Sequence, residues 1–133
     1  MILVDTSVFI NYLKKVDNNE KTEQFNEILS KGIPFGINNF IYQELLQGCR
    51  TERDYRQLKI YLDCQKFYDV KKGRESFANA ARIYSELRKK GITVRSTIDC
   101  LIAQIALEHD LYLLHDDMDF DRIAEYFPLK VWM

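Results

Sequence analysis

Short apolar runs alternate with longer segments of helical periodicity along this chain of 133 residues. The runs are rich in valine, isoleucine and leucine, which predicts buried strands at 2–4, 34–37, 67–70, 111–114 and 129–132. Between them, apolar residues recur every three or four positions, which predicts helices through Val8–Leu13, Phe25–Leu29, Phe40–Leu46, Tyr55–Leu62, Phe77–Leu87, Ile98–Ala106 and Ile123–Phe127. Strands that alternate with helices favour a parallel sheet with helices on both of its faces.

Two of the predicted helices differ in how much of their surface is apolar. The helix from Glu75 to Lys90 has one apolar stripe, formed by Phe77, Ala80, Ala81, Tyr84 and Leu87. The helix that Ser96 or Thr97 begins is apolar almost all round, and such a helix is expected to be buried. Gly91 is expected to follow the end of the first of these helices.

Composition and charge narrow the possible classes of protein. Apolar residues make up 47% and charged residues 29% of the chain, which is ordinary for one globular domain over residues 1–133. The formal net charge of −1 excludes a protein that binds nucleic acid through its overall charge. Binding of RNA or DNA would therefore need a local basic patch or a bound metal. No signal peptide and no membrane span are recognisable, and we expect a cytoplasmic protein without a membrane partner.

Cysteine and histidine do not form a recognisable chemical site. Cys49, Cys64 and Cys100 are odd in number and match no zinc spacing, so we expect buried or half-buried thiols in a reducing compartment. His109 and His115 are too few and too poorly spaced for a zinc site. No Ser–His–Asp set, catalytic Cys–His pair or phosphate-binding P-loop is present either.

Acidic residues follow or open the apolar segments in four places. Asp5 follows the first strand, Glu44 lies near the apolar stripe of a helix, and Asp99 lies in the first turn of the most apolar helix. An acidic turn, 116–121, follows the fourth strand, and either Asp116 or Asp117 in it is the fourth candidate. Because parallel strands end at a shared edge where ligands bind, these carboxylates are expected to gather there. Such oxygen-rich sites suit Mg²⁺ or Mn²⁺.

Each of these acids also has a structural explanation. Asp5 could cap the following helix, although Thr6 and Ser7 could do so in its place. Glu44 could be a solvated residue at the edge of the stripe. Asp99 could be a carboxylate that the helix dipole favours. The acidic turn could be a turn without further function, and spacing alone does not choose between its first two residues.

Four segments of the chain carry a family resemblance. They are Ile2–Ile10, an apolar strand followed by Asp-Thr-Ser; Tyr42–Leu45 with the nearby Gly48; Ile98–Ala103; and Leu113–Phe120. In this order and spacing they resemble the PIN domain family, and specifically the VapC-type toxins of bacterial and archaeal toxin–antitoxin pairs. The resemblance spans the whole chain. Each motif is weak by itself, and the set of four is specific.

The resemblance implies a fold, an activity and partners. The fold would be a three-layer α/β/α sandwich with a mostly parallel sheet of about five strands. The activity would be Mg²⁺-dependent endoribonuclease cleavage, with Mn²⁺ as a substitute ion, in which water activated by the metal hydrolyses a phosphodiester bond of RNA. Asp5, Glu44, Asp99 and Asp117 would be the catalytic, metal-binding acids. Members usually act as homodimers and are inhibited by a small antitoxin.

Further residues are expected around the four acids. Thr6, Asp119 and His115 would support the site. His115 departs from the family pattern, which usually has threonine or serine at this position. Arg88, Lys89 and Arg95 are candidates for binding RNA, and their alternative explanation is a solvated helix end that the dipole favours.

Two other functions are compatible with acids at strand ends. A catalytically silent PIN-like scaffold would bind partners without cleaving RNA. A receiver-type phospho-acceptor domain would normally have a pair of acids after its first strand and a lysine after its last. Here Asp5 stands alone, and Lys130 is the lysine nearest the last predicted strand and lies inside it.

Overall fold

One parallel sheet organises the computed structural model, which describes all residues from Met1 to Met133. Its strands are β1 (Ile2–Val4), β2 (Phe35–Ile37), β3 (Lys66–Phe67), β4 (Tyr112–Leu114) and β5 (Lys130–Val131). They lie in the order β3-β2-β1-β4-β5, and every neighbouring pair is parallel. The predicted parallel sheet of about five strands is confirmed.

Seven helices connect the strands and form the two outer layers. They are α1 (Thr6–Leu13), α2 (Glu20–Ser30), α3 (Asn39–Gln47), α4 (Glu52–Asp63), α5 (Arg74–Lys89), α6 (Thr97–Glu108) and α7 (Met118–Tyr126). Helix α1 contacts α2 and α3, and α3 contacts α4, while α5, α6 and α7 contact one another. This grouping gives the expected three-layer α/β/α sandwich. No helix is both long enough and apolar enough to cross a membrane.

The strand order places a crevice between β1 and β4. From β1 the chain moves outward to β2 and β3, and it then returns to the other side of β1 to form β4 and β5. Since such crossovers are right-handed, the reversal sends α1 and α7 to opposite faces of the sheet. Ligands of open α/β sheets bind at this kind of switch point, beyond the carboxyl ends of the strands.

Side-chain caps fix where most of the helices begin. Asn19, Asn38, Thr51 and Ser96 each have an extended backbone, and each accepts a hydrogen bond from a backbone N–H in the first turn of the helix that follows. At the other end of α5, Gly91 has φ of +80°, as expected for the residue that follows a helix end.

The core lies on both faces of the central strands. Strand β1 is fully buried, and so are all residues of α6 from Cys100 to Ala106, which confirms the prediction from its apolar composition. Two other expectations were wrong. Cys64 at the end of α4 is exposed, and β3 is shorter than predicted because Tyr68 to Val70 lie beyond the strand.

The buried face of α5 also differs from the predicted stripe. Phe77 is 48% exposed and Ala81 is exposed, whereas the buried positions are Ser76, Ala80, Ile83 and Leu87. The burial of Ser76 explains the shift, because its hydroxyl donates a hydrogen bond to the carboxylate of Glu108 at 2.7 Å. The buried face of α5 therefore includes Ser76, which has a specific partner, and not its neighbour Phe77, which periodicity favoured.

Candidate metal centre

The carboxylate of Asp5 lies at the carboxyl end of β1, beside β4. Its backbone N–H donates to the carbonyl of Leu114 at 2.9 Å, which continues the pairing of the two strands. Asp5 is 5% exposed and is itself the N-cap of α1. Of the three possible caps, Asp5 and not Thr6 or Ser7 fills the position, because the extended backbone at Asp5 presents its carboxylate to the first turn.

Ser7 ties Asp5 to the loop after β4. Its backbone N–H and its hydroxyl both donate to Oδ2 of Asp5, at 3.1 and 2.7 Å. The same hydroxyl accepts a hydrogen bond from the backbone N–H of Asp116 at 2.9 Å. Burial raises the pKa of Asp5, and the two hydrogen bonds from Ser7 oppose that rise. One oxygen of Asp5 is therefore held by Ser7.

Asp116 is directed to α1 and α2. Its Oδ2 accepts hydrogen bonds from the side-chain amides of Asn11 at 2.8 Å and Asn19 at 3.1 Å. Asp117, the other acid that spacing left open, instead approaches Asp99 and Asp119, and one carboxylate oxygen from each of the three lies within 4.8 Å of the others. The structure thus brings Asp117, and not Asp116, to the acid cluster.

The acidic turn continues into a helix. Helix α7 begins at Met118, and Oδ1 of Asp117 caps it by accepting from the backbone N–H of Asp119 at 2.9 Å. Asp119 and Asp121 therefore lie in the first turn of α7, whereas the sequence suggested a turn through residue 121. Carboxylates are favoured there by the helix dipole, so the helix stabilises Asp119, which also lies in the cluster.

Asp119 is 1% exposed and has partners on both of its oxygens. Oδ2 accepts from the backbone N–H of Arg95 at 3.1 Å, and Oδ1 lies 3.4 Å from a terminal nitrogen of Arg122. A buried carboxylate needs such compensation. Through these contacts Asp119 joins the α5–α6 connection to α7, and its supporting role in the site stays a prediction.

Asp99 has a strongly perturbed acid–base equilibrium. Burial, followed by the negative charges of Asp117, Asp5 and Asp119, raises its pKa to about 7. It lies in the first turn of α6, whose dipole would lower that pKa. Burial and repulsion by the neighbouring carboxylates outweigh the dipole. A cation nearby would therefore favour the ionised form of Asp99.

Glu44 reaches the site from the partly exposed side of α3. Its Oε1 accepts a hydrogen bond from the hydroxyl of Thr6 at 3.3 Å, which links α3 to α1. Partial desolvation of its carboxylate and the charge of Asp5 raise the pKa of Glu44, and the bond from Thr6 opposes them. Thr6 therefore joins α1 to Glu44, and its supporting role in the site stays a prediction. Glu44 itself is exposed, so it is more accessible than its place near the apolar stripe suggested.

His115 replaces a hydroxyl with a buried imidazole. It is 2% exposed, and its Nδ1 accepts from the backbone N–H of Asp117 at 3.2 Å. Burial lowers its pKa despite Asp121, whose carboxylate lies 3.4 Å from Nε2. A neutral ring with the proton on Nε2 fits these contacts. His115 thus supports the loop that carries Asp117, as a serine or threonine would do through its hydroxyl.

The three candidate RNA-binding residues divide into two groups. Arg95 contacts the acids directly, at 3.6 Å from Asp119 and 3.9 Å from Asp117. Arg88 lies over the ring of Tyr84, and Lys89 pairs with Glu86 at 3.3 Å. Only Arg95 is therefore brought to the cluster.

Sequence reasoning missed four polar residues of this region: Ser7, Asn11, Asn19 and Arg122. Ser7 had a usable signal, because a hydroxyl two residues after a strand-end aspartate is placed to bond it. Asn11 and Asn19 had no such signal in the sequence, because their partner Asp116 is about a hundred residues away in the chain.

The donor set fits a small oxygen-preferring cation. Asp99, Asp117 and Asp119 offer oxygens close enough to share one ion, and Asp5 is near enough to raise the pKa of Asp99. Hard cations such as Mg²⁺ and Mn²⁺ select carboxylates of this kind. Cys100 offers no competing chemistry, because burial and the charges of Asp99 and Asp119 raise the pKa of its thiol to about 11.

The protein therefore combines a parallel α/β sheet with carboxylates clustered at its switch point, a donor set that suits a divalent cation. The profile described as "PIN domain" matches residues 2–126. The chain therefore belongs to the PIN domain family, as its four sequence motifs suggested.

Curated relatives cover almost the whole chain. Ribonuclease VapC11 of Mycobacterium tuberculosis is 32% identical over 130 residues, which is 98% of this chain and 96% of the relative. The VapC ribonuclease Mb1587 of Mycobacterium bovis has the same identity and coverage. The resemblance to VapC ribonucleases is therefore confirmed at the level of sequence.

Solved structures confirm the fold. A chain of VapBC2 from Rickettsia felis, bound to a DNA fragment from its promoter, has a TM-score of 0.73 at 21% identity, covering 99% of this chain and 98% of that one. A chain of VapBC-1 from nontypeable Haemophilus influenzae also has a TM-score of 0.73, at 20% identity, with coverage of 99% and 97%. At these identities the likeness shows a shared PIN-type architecture.

Proposed function

We propose that this protein is a metal-dependent endoribonuclease toxin of a VapBC-type pair, with Asp5, Glu44, Asp99 and Asp117 as its metal-binding catalytic acids. The observation that carries the proposal is the juxtaposition of Asp99 and Asp117 beside Asp5 at the switch point of a PIN-domain sheet. The curated ribonuclease relatives support the choice of RNA as substrate.

The residues of the chain have distinct tasks in this proposal. Mg²⁺, or Mn²⁺ in its place, would lower the pKa of a water molecule and stabilise charge on the phosphodiester. Asp99, in the first turn of α6, and Asp117, the N-cap of α7, would hold the cation. Asp5 is fixed by Ser7 so that its second oxygen can face the centre, and Glu44 closes the side toward α3.

The partners follow from the same comparison. Several of the similar solved structures are VapBC complexes, which supports a small antitoxin as inhibitory partner. We also propose a homodimer, one PIN-like domain over residues 1–133 and a cytoplasmic location. A receiver-type function has no support, because Lys130 pairs with Asp110 at 2.9 Å and lies over Tyr112.

Cleavage of RNA with and without metal tests the function. Purified protein is incubated with total bacterial RNA in Mg²⁺, Mn²⁺ or EDTA, and new RNA ends are mapped by sequencing. We expect discrete cleavage in either metal, none in EDTA, and none for Asp99→Asn. A matched control is Asp17→Ala, an exposed acid in the α1–α2 connection that makes no side-chain hydrogen bond or ion pair.

The same experiment decides against the competing scaffold. A catalytically silent PIN-like protein would leave the RNA intact in every metal while still binding its partner. Cleavage that persists in EDTA, or in Asp99→Asn, would instead assign the activity to a contaminant and contradict the proposed site.

A further inference from the structure

Arg95 is the chain's own cation at the acid cluster. Its backbone N–H donates to Oδ2 of Asp119 at 3.1 Å, and its Nε lies 3.6 Å from the same oxygen. One terminal nitrogen extends to Oδ1 of Asp117 at 3.9 Å. The guanidinium therefore bridges the buried support, Asp119, and a proposed metal ligand, Asp117.

The two arginines at Asp119 have different positions. Arg122 approaches only Oδ1 of Asp119 and is on the same helix, three residues further along. Arg95 approaches the opposite oxygen and also reaches Asp117, and its side chain is 78% exposed. Exposed ion pairs at such distances are weak, so the contact between Arg95 and Asp117 can be exchanged for another at little cost. Arg122 keeps Asp119 compensated while that happens.

A cation bound at Asp117 would compete with this contact. Both the guanidinium and the metal are stabilised by the negative charge of the same carboxylate. When the metal neutralises that charge, the attraction that holds Arg95 over the cluster is reduced. Its long exposed side chain can then turn toward solvent, where an anionic strand would approach the metal.

We propose that Arg95 is an exchangeable counterion, which holds Asp117 in the metal-free protein and binds a phosphate of the RNA once metal has replaced it. The second half rests on the proposed function; the first half does not. Because coupling between two ligands is reciprocal, metal should tighten RNA binding through Arg95, and RNA should tighten metal binding.

Removing the side chain should have opposite effects on the two ligands. Arg95→Ala should bind Mn²⁺ about 1.5- to 5-fold more tightly than the wild type, because it removes a weak exposed competitor. Isothermal titration calorimetry with Mn²⁺ alone measures this. Arg95→Lys keeps the charge and should bind Mn²⁺ less tightly than Arg95→Ala, with the affinity of the wild type. Arg82→Ala, which removes an exposed charge without a partner on α5, should leave the Mn²⁺ affinity unchanged.

RNA binding should weaken in the same variant only when metal is present. The probe is a fluorescein-labelled single-stranded RNA of 30 nucleotides and mixed sequence. Its fluorescence anisotropy reports binding in EDTA and in Ca²⁺. A gel run after each titration checks that the RNA is intact. In Ca²⁺ we expect weaker binding by Arg95→Ala and a salt dependence lower by roughly 0.7, the value for one phosphate contact on a single strand. In EDTA the variant and the wild type should agree within twofold.

Failure of this inference is distinguishable from failure of the proposed function. Equal Mn²⁺ affinity for Arg95→Ala and the wild type, or weaker Mn²⁺ binding by the variant, overturns the counterion role whether or not RNA is cleaved. An equal loss of RNA affinity in EDTA and Ca²⁺ shows a permanent RNA contact and overturns the exchange. A wild-type protein that binds Mn²⁺ but neither binds nor cleaves RNA refutes the proposed function and the second half of the inference, and leaves the Mn²⁺ result standing.

Discussion

Asp5 and Ser7 form a closed unit in which one carboxylate oxygen receives both hydrogen bonds that Ser7 can offer, at 3.1 Å from the backbone and 2.7 Å from the hydroxyl. The same oxygen caps helix α1, so Asp5 has a structural task as the N-cap and a proposed chemical task as a metal ligand. The two tasks differ in what they require. Capping needs an acceptor oxygen, whereas metal binding needs the negative charge as well.

Substitution of Asp5 should separate these tasks. Asparagine is about as good an N-cap as aspartate, so Asp5→Asn should lose Mn²⁺ binding and RNA cleavage with little loss of stability. Asp5→Ala should also cost about 1 kcal/mol of unfolding free energy, because the cap is lost. Urea denaturation in EDTA compares the stabilities, and calorimetry with Mn²⁺ compares the affinities. An Asp5→Asn variant that keeps wild-type Mn²⁺ affinity would remove Asp5 from the proposed site.

Neighbouring aspartates in the loop after β4 should respond differently. Asp117→Asn should abolish RNA cleavage and weaken Mn²⁺ binding strongly, because it removes a charge from the cluster. Asp116→Asn keeps an oxygen for Asn11 and Asn19, so we expect cleavage within severalfold of the wild type. The measurement is cleavage rate and Mn²⁺ affinity for both variants side by side. The opposite order of losses would show that Asp116 is the metal-facing residue.

The sequence predicted the alternation of elements and the place where the acids gather, because both follow from local periodicity and from the edge rule for parallel sheets. Spacing did not choose between Asp116 and Asp117, and only the family resemblance pointed to Asp117. The direction of Asp116 depends on Asn11 and Asn19, which reach the loop only in the folded chain. The sequence also placed Phe77 inside. Periodicity alone could not show that Ser76 has a buried carboxylate partner in α6.

Gly36 in β2 should not tolerate a side chain. A Cβ there would lie 2.7 Å from Cδ2 of Tyr68 and 2.8 Å from the carbonyl oxygen of Lys66, which is backbone and cannot move aside easily. Gly36→Ala should therefore cost about 1–3 kcal/mol of unfolding free energy, as overpacking usually does. Gly48→Ala is the control, because its nearest contact is 3.4 Å and its φ is −77°.

The control should move the other way. Alanine at a compatible glycine position restricts the unfolded chain and stabilises by about 0.4–1 kcal/mol. Urea denaturation of the wild type, Gly36→Ala and Gly48→Ala measures these differences in unfolding free energy. Equal stability of Gly36→Ala and the wild type would mean that β2 and β3 are less tightly packed than the structure shows.

Asp99 should make the metal-free protein less stable as the pH rises. Its pKa is about 7 in the folded state and close to the ordinary 3.8 in the unfolded chain, so between these values the folded state binds more protons. Stability falls with pH wherever that is so. The contribution of protonated Asp99 is therefore complete below about pH 4 and is lost as the pH rises through 7.

Asp99→Asn removes this dependence and gives the sharpest test of the site. In EDTA at pH 8 the variant should melt at a higher temperature than the wild type, and the difference should shrink toward pH 5. Mn²⁺ should stabilise the wild type more at pH 8 than at pH 6, because protons compete for the same carboxylate, and should stabilise the variant less at both. If Asp99 is only a first-turn carboxylate, the ionised form stabilises the helix by roughly 0.3–1 kcal/mol. The variant would then melt below the wild type at pH 8 and respond equally to Mn²⁺, which would exclude Asp99 as a metal ligand.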